Sequence, residues 1–269
     1  MVFSWFKSKP AKHFVPEGTI VYAIGDVHGR DDLLKELIEK IGEDIRDTGM
    51  DRKVIFVFLG DYVDRGMGSK SVIDLLLKWE EQAKKAKSKV KFHLLRGNHE
   101  EALLQFLDDP LFGEKWVTYG GAETLMSYGV QPPRLRTDEA AWIKASKQLG
   151  LAMSQDHLHF LQGLEPCLVL GDYIFVHAGL KPGKKLEMQQ EQDMLWIRNE
   201  FIEDHRKFEK MVVHGHTPER EPFYDHRRIG LDTGAYITGV LTAARLVDDQ
   251  VSFLQTGDVE PAHGVAPPA

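Results

Sequence analysis

The sequence predicts an α/β fold of alternating strands and helices, and three observations carry that expectation. Short β-rich apolar runs alternate with longer amphipathic stretches from Thr19 to about residue 100. Five separate apolar runs end in glycine-flanked polar turns, as strands do at the loop-bearing edge of such a sheet. With 269 residues, 42% hydrophobic and 28% charged, the chain has enough core material for one large domain or two small ones.

The elements follow in order. "TIVYAIGDVHG" is a β-rich run ending in glycines. In "DDLLKELIEKIGEDI", Leu33, Leu34, Leu37, Ile38, Ile41 and Ile45 recur at helical spacing. The strand "KVIFVFLGD", a helix across "SKSVIDLLLKWEEQAKKAKS" and the strand "VKFHLLRGNHE" complete a β-α-β-α-β series, which folds as a parallel sheet with right-handed crossovers. Residues 100–160 are helical by pattern and include the turn-rich "GVQPPRLR". Strands return in "LVLGDYIFVHAG", "KMVVHGHT" and "RIGLDTG", then in a hairpin through "LTAARLVDDQVSFLQTG". Residues 19–257 are expected to form one domain, with 1–18 an N-terminal arm packing through Trp5 and Phe6. The small, Pro-rich 258–269 should be disordered.

Composition narrows the class. A net charge of −7 and a pI of about 5.9 give no general attraction to nucleic acid or to an anionic membrane, so phosphate must be met by a local site. The basic run at 84–91 falls at a helix end and reads as a solvated face suited to the dipole. The lone Cys167 cannot form an internal disulfide, which fits a reducing compartment, and its hairpin setting reads as a buried small apolar residue. No apolar run reaches the ~18 residues of a membrane span, and the N-terminus lacks a signal peptide's long apolar region. A cytoplasmic monomer with no membrane or nucleic-acid partner is expected.

The strand ends carry the chemistry. "AIGDVHG", "FLGDYVDRG", "LLRGNHE", "FVHAG" and "VVHGHT" deliver Asp26, His28, Asp61, Asp64, Asn98, His99, His177, His214 and His216. Glycine at each turn lets the backbone reverse sharply and approach a bound group. A mixture of carboxylates, imidazoles and one carboxamide suits manganese, iron or zinc better than calcium or magnesium. Without thiolates, the set points to a catalytic metal site rather than structural zinc.

Together, "GDVHG", "GDYVDRG", "GNHE", "HAG" and "GHT" resemble the signature set of the phosphoprotein phosphatase family, within the calcineurin-like metallophosphoesterases, from about residue 20 to 257. The resemblance implies a central β-sandwich of two sheets flanked by helices. It also implies a centre of two divalent cations, manganese above all, with iron or zinc as alternatives. Asp26 and His28 would hold one, Asn98, His177 and His216 the other, and Asp61 would bridge them; a hydroxide shared by both would attack phosphorus in line. His99 corresponds to the family's general acid, Asp64 to the carboxylate that keeps it protonated, and Arg65 and Arg198 to its phosphate-binding arginines.

The implied activity is hydrolysis of phosphomonoesters, including phosphoserine and phosphothreonine in proteins. Two rivals stand beside it: symmetrical dinucleoside tetraphosphate hydrolysis, and an inactive scaffold that binds phosphorylated partners. The aromatics of "WVTYGGAETLMSYGV" could stack a nucleobase or pack in the core. Arg96 reads as an ion pair holding its loop, Glu100 as a helix cap, and His214 as either a support behind a ligand or a packing residue. Tyr236 lies where the family often places an aromatic near the site.

Overall fold

The computed structural model describes residues 12–48 and 51–257. The expected packing of Trp5 and Phe6 and the expected disorder of 258–269 lie outside the described residues. The predicted β-α-β-α-β series is present as β1 (Thr19–Ile24), α1 (Asp31–Thr48), β2 (Lys53–Phe58), α2 (Ser69–Lys85) and β3 (Val90–Leu94). β1 pairs in parallel with β2, and β2 with β3. The helical middle follows as α3 (Asn98–Asp108), α4 (Gly113–Trp116), α5 (Gly121–Ser127), α6 (Glu139–Ala152) and α7 (Gln155–Gln162).

A second sheet comprises β4 (Cys167–Leu170), β5 (Tyr173–Val176), β6 (Met211–His214), β7 (Phe223–Tyr224) and β8 (Arg228–Gly230), in the order β4-β5-β6-β8-β7. Between β5 and β6 lie α8 (Glu191–Trp196) and α9 (Asn199–Ile202); after β8 comes α10 (Ala235–Thr238). The final hairpin, β9 (Thr242–Val247) and β10 (Gln250–Gln255), returns to the first sheet, where β9 pairs antiparallel with β1. The first sheet therefore has the order β10-β9-β1-β2-β3.

Strand alternation explains the layers. Side chains on a strand point alternately to its two faces. Ile20, Tyr22 and Ile24 of β1, with Val54, Phe56 and Phe58 of β2, face one way and bury Leu33, Leu34, Leu37 and Ile41 of α1. The intervening Val21, Ala23, Ile55 and Val57 face the second sheet and meet Tyr173, Phe175, Met211 and Val213. The remaining face of β5 and β6, through Ile174, Val176 and Val212, packs on Met194, Ile197 and Phe201. Two sheets packed face to face and flanked by helices are what the motif resemblance implied.

Cys167 departs from expectation. It is half-buried rather than buried, because β4 is the edge strand of its sheet. Partial burial and the nearby Glu165 raise its pKa, so its thiol is no poised nucleophile. Among the described residues, no helix is long and apolar enough to cross a membrane.

Candidate functional site

β1, β2 and β3 run parallel, as do β5, β6 and β8. The loops at their carboxyl ends bring Asp26, His28, Asp61, Asp64, Asn98, His99, His177 and His216 together, and all eight are buried. The backbone is held in an uncommon conformation there. Seven non-glycine residues among those described have positive φ, and five of them are His28, Asp61, Asp64, Arg65 and His216. Left-handed backbone costs of order 1–3 kcal/mol per residue and persists where the surroundings over-determine it, as at binding and catalytic sites.

Two glycines are required by close approach. A Cβ on Gly97 would lie 2.1 Å from Asp61 Oδ1, and one on Gly215 only 1.9 Å from Asp26 Oδ1. The carboxylates are thus seated directly against bare backbone.

Asp61 stands at the centre with its two oxygens facing different partners. Oδ2 is 3.4 Å from His28 Nε2, and Oδ1 is 3.4 Å from His177 Nε2. His28 is turned inward because its Nδ1 faces the Val63 carbonyl at 3.0 Å, and His177 because its Nδ1 faces the Leu59 carbonyl at 2.8 Å. Beside His177 Nε2 lie Asn98 Oδ1 at 2.9 Å and His216 Nδ1 at 3.2 Å. Asp26 Oδ2 accepts the His216 N–H at 2.9 Å.

Two groups sharing Asp61 have the spacing to hold a metal ion: His28, Asp61 and His99, and Asp61, His177 and His216. Asp26 Oδ1 is buried with no hydrogen-bond partner, a costly state that a cation would relieve. The chemistry agrees. Asp26 is raised well above the usual carboxylate range, first by burial and then by Asp232 and Asp61. Such a knot of buried acids lacks positive charge, and the residues present fit divalent cations.

Electrostatics divide the four histidines into two kinds. Burial lowers His28, His177 and His216, the last to about 2, so each presents the neutral imidazole that a metal requires. His99 is raised instead: burial would lower it, but Asp61 and the hydrogen-bonded Asp64 outweigh that. Its Nδ1 lies 2.7 Å from Asp64 Oδ2. Asp64 is itself fixed by Trp116 Nε1–H at 2.9 Å and by the Thr124 hydroxyl, which donates to Oδ1 at 2.7 Å.

Arg65 Nη2 lies 3.3 Å from His99 Nε2, and its guanidinium stacks over Tyr236, 4.5 Å from the ring centre. Tyr236 also meets His28 edge-on at 5.3 Å. The guanidinium and the His99 ring therefore stand side by side. Arg198 is exposed at the start of α9, and its charge helps depress His177 and His216 from the opposite rim.

Other expectations resolve unevenly. Arg96 pairs with Glu191 at 2.8 Å, as read. His214 packs: its ring meets Phe201 edge-on, and its Nε2 faces Arg228 Nη1 at 3.0 Å. Trp116 and Tyr128 belong to the core, whereas Tyr119 of the same stretch reaches His99, with ring centres 6.3 Å apart.

One residue escaped the sequence reading, and another does more than was read from it. Asp232, following β8 in "LDTG", is buried beside the site, and burial raises it to about 6. Its strand-end position next to glycine was the available signal. Glu100 does cap α3, accepting the Gly97 N–H at 2.9 Å, but it also accepts the N–H groups of Asp61 at 2.9 Å, Tyr62 at 2.8 Å and Val63 at 3.2 Å. It holds the whole "GDYVDRG" turn.

Comparison with known proteins places this geometry. Bis(5'-nucleosyl)-tetraphosphatase PrpE (asymmetrical) of Halalkalibacterium halodurans is 26% identical over 88% of this chain and 94% of its own length. The protein of that name in Geobacillus thermodenitrificans is 28% identical over 82% and 88%. The solved structure of a cold-active protein tyrosine phosphatase superposes with a TM-score of 0.59 at 16% identity, over 92% of this chain and 81% of that one, which shows the shared fold alone. Residues 20–241 match the calcineurin-like phosphoesterase family, and with that match spanning most of its length the chain belongs to this family.

Proposed function

We propose that the chain is a dinuclear metal-dependent phosphohydrolase whose substrates are dinucleoside polyphosphates, with His99 as the acid that protonates the leaving oxygen. The observation that carries the reaction class is the His99–Asp64 pair at 2.7 Å, set against Arg65 and opening onto Asp61. What favours the substrate class is the pair of bis(5'-nucleosyl)-tetraphosphatases matched along most of the chain.

Asp26, His28, Asp61, Asn98, His177 and His216 would hold two divalent cations, with Asp61 shared between them. Such cations polarise phosphoryl oxygens and bring a water's pKa to near 7. Arg65 would bind a phosphoryl oxygen through its planar fork, steadied from behind by Tyr236. Arg198 would add positive charge on the opposite rim. His99 would hold its proton at Nε2 through the Asp64 carboxylate at Nδ1 and release it to the departing oxygen.

The second reading, a protein serine/threonine phosphatase, is favoured by the "GDYVDRG" and "GNHE" motifs. One comparison tests both: a dinucleoside tetraphosphate, a phosphoserine peptide and an aryl phosphate offered with Mn²⁺. The dinucleotide should have the highest kcat/KM. Turnover of the peptide alone would overturn the substrate class, and turnover of none would overturn the reaction class. The products also locate the cut: a nucleoside monophosphate and a nucleoside triphosphate for asymmetrical cleavage, two nucleoside diphosphates for symmetrical.

A further inference from the structure

Tyr119 and Trp196 stand against each other beside the two ligand groups, their ring centres 6.1 Å apart and their planes at 60°. Tyr119 lies on the His99 side, at 6.3 Å, and Trp196 on the His216 side, at 6.4 Å. Both rings are half-buried, so part of each remains open to a ligand. Both are also held in place. Trp196 Nε1–H donates to Glu101 Oε2 at 2.6 Å. Tyr119 precedes Gly120, whose carbonyl accepts the Arg65 N–H at 3.0 Å, which ties the ring's position to the phosphate-facing arginine.

Two hollows meet at Tyr119. The larger, about 840 Å³, runs between Tyr119, Trp196, Phe112 and Lys115. The smaller, about 470 Å³, runs past Arg65 and Tyr236. Charge separates their uses. In the larger hollow, Glu101, Asp108 and Asp109 outnumber Lys115 and an Arg96 already paired with Glu191. That lining disfavours a second phosphate and suits a neutral planar group with N–H donors on its edge. An aromatic wall beside such acceptors is a stacking platform for a base.

We propose that Tyr119 and Trp196 form a base-stacking subsite that holds the nucleoside end of the leaving group on the His99 side of the scissile phosphate. This rests on the phosphohydrolase reading above, because the group that takes its proton from His99 would leave on the side of the site where Tyr119 stands, 6.3 Å from that ring. The residues set which leaving group is accepted and take no part in bond breaking.

The test compares ligands with and without a base. Binding of the methylenediphosphonate analogue of ADP, and of plain methylenediphosphonate, is measured by calorimetry on the Mn²⁺-loaded wild type and on Tyr119→Leu and Trp196→Leu. The wild type should prefer the nucleoside analogue by about tenfold or more, and each substitution should erase most of that preference. Because the plain diphosphonate reports metal loading and folding in the same variants, a general loss of structure cannot imitate the result. An equal preference in wild type and variants, or none in the wild type, overturns the subsite. So does a Tyr119-dependent preference for a basic phosphopeptide over the nucleotide analogue. A base preference that needs Tyr119, in a protein that hydrolyses nothing, would sink the phosphohydrolase reading and leave the subsite standing.

Discussion

The Glu100 carboxylate accepts the backbone N–H of Asp61 at 2.9 Å, while Asp61 Oδ1 accepts the backbone N–H of His99 at 3.1 Å. A residue at the start of α3 therefore positions the central carboxylate, which in turn positions His99. Four N–H groups converge on Glu100, and no position on its side chain is left for a donor.

Glu100→Gln should accordingly be costly despite its near-identical shape. The amide would turn an NH₂ toward backbone donors, leaving one or two buried N–H groups unpaired at about 1–3 kcal/mol each. A chain of this size should lose several degrees of Tm and bind metal about 10–100-fold more weakly. Unchanged Tm and metal affinity would show that the turn holds itself.

Asp64→Asn addresses the proton. Asp64 helps raise His99, so its removal lowers the pKa of the imidazolium. An acid catalyst loses activity as pH rises through its pKa, so the alkaline limb of the kcat profile should move to lower pH. His99→Ala should lower kcat by about 10²–10⁴ for poor leaving groups and much less for an aryl phosphate. An alkaline limb that stays in place in Asp64→Asn, or an equal loss on both substrates in His99→Ala, would remove His99 from the acid role.

Arg65→Ala should raise KM and weaken inhibition by inorganic phosphate, because the guanidinium held over Tyr236 stands beside His99 and its planar fork suits a phosphoryl oxygen. Steady-state kinetics with phosphate as competitor decide it. A KM and inhibition constant matching wild type would place the phosphate elsewhere.

The sequence revealed what is local. Each motif is a strand end beside glycine, and each strand and helix of the first half repeats its own periodicity, so the residues gathered at the site could be read one by one, and the family resemblance then singled out Asp26, His28, Asp61, Asn98, His177 and His216 as candidate ligands. What it hid is carried by long-range contacts. Nothing in "LTAARLVDDQVSFLQTG" says that β9 pairs with β1, more than 200 residues earlier. Glu100 looked like a cap because its reach to residues 61–63 spans another strand's turn. Trp116 and Tyr119 sit three residues apart in one aromatic stretch, yet one anchors Asp64 from the core while the other lines the mouth. That division depends on how α4 and α5 pack, which spacing alone does not report.

The central claim is that Asp61 would be shared by two cations. Elemental analysis of active protein, and of Asp61→Asn prepared alongside it, tests this most directly. Two divalent ions per wild-type chain are predicted, falling to one or fewer with loss of turnover in the variant, because a neutral amide bridges two positive charges poorly. A single ion in fully active wild type, or two retained by an active Asp61→Asn, would contradict it.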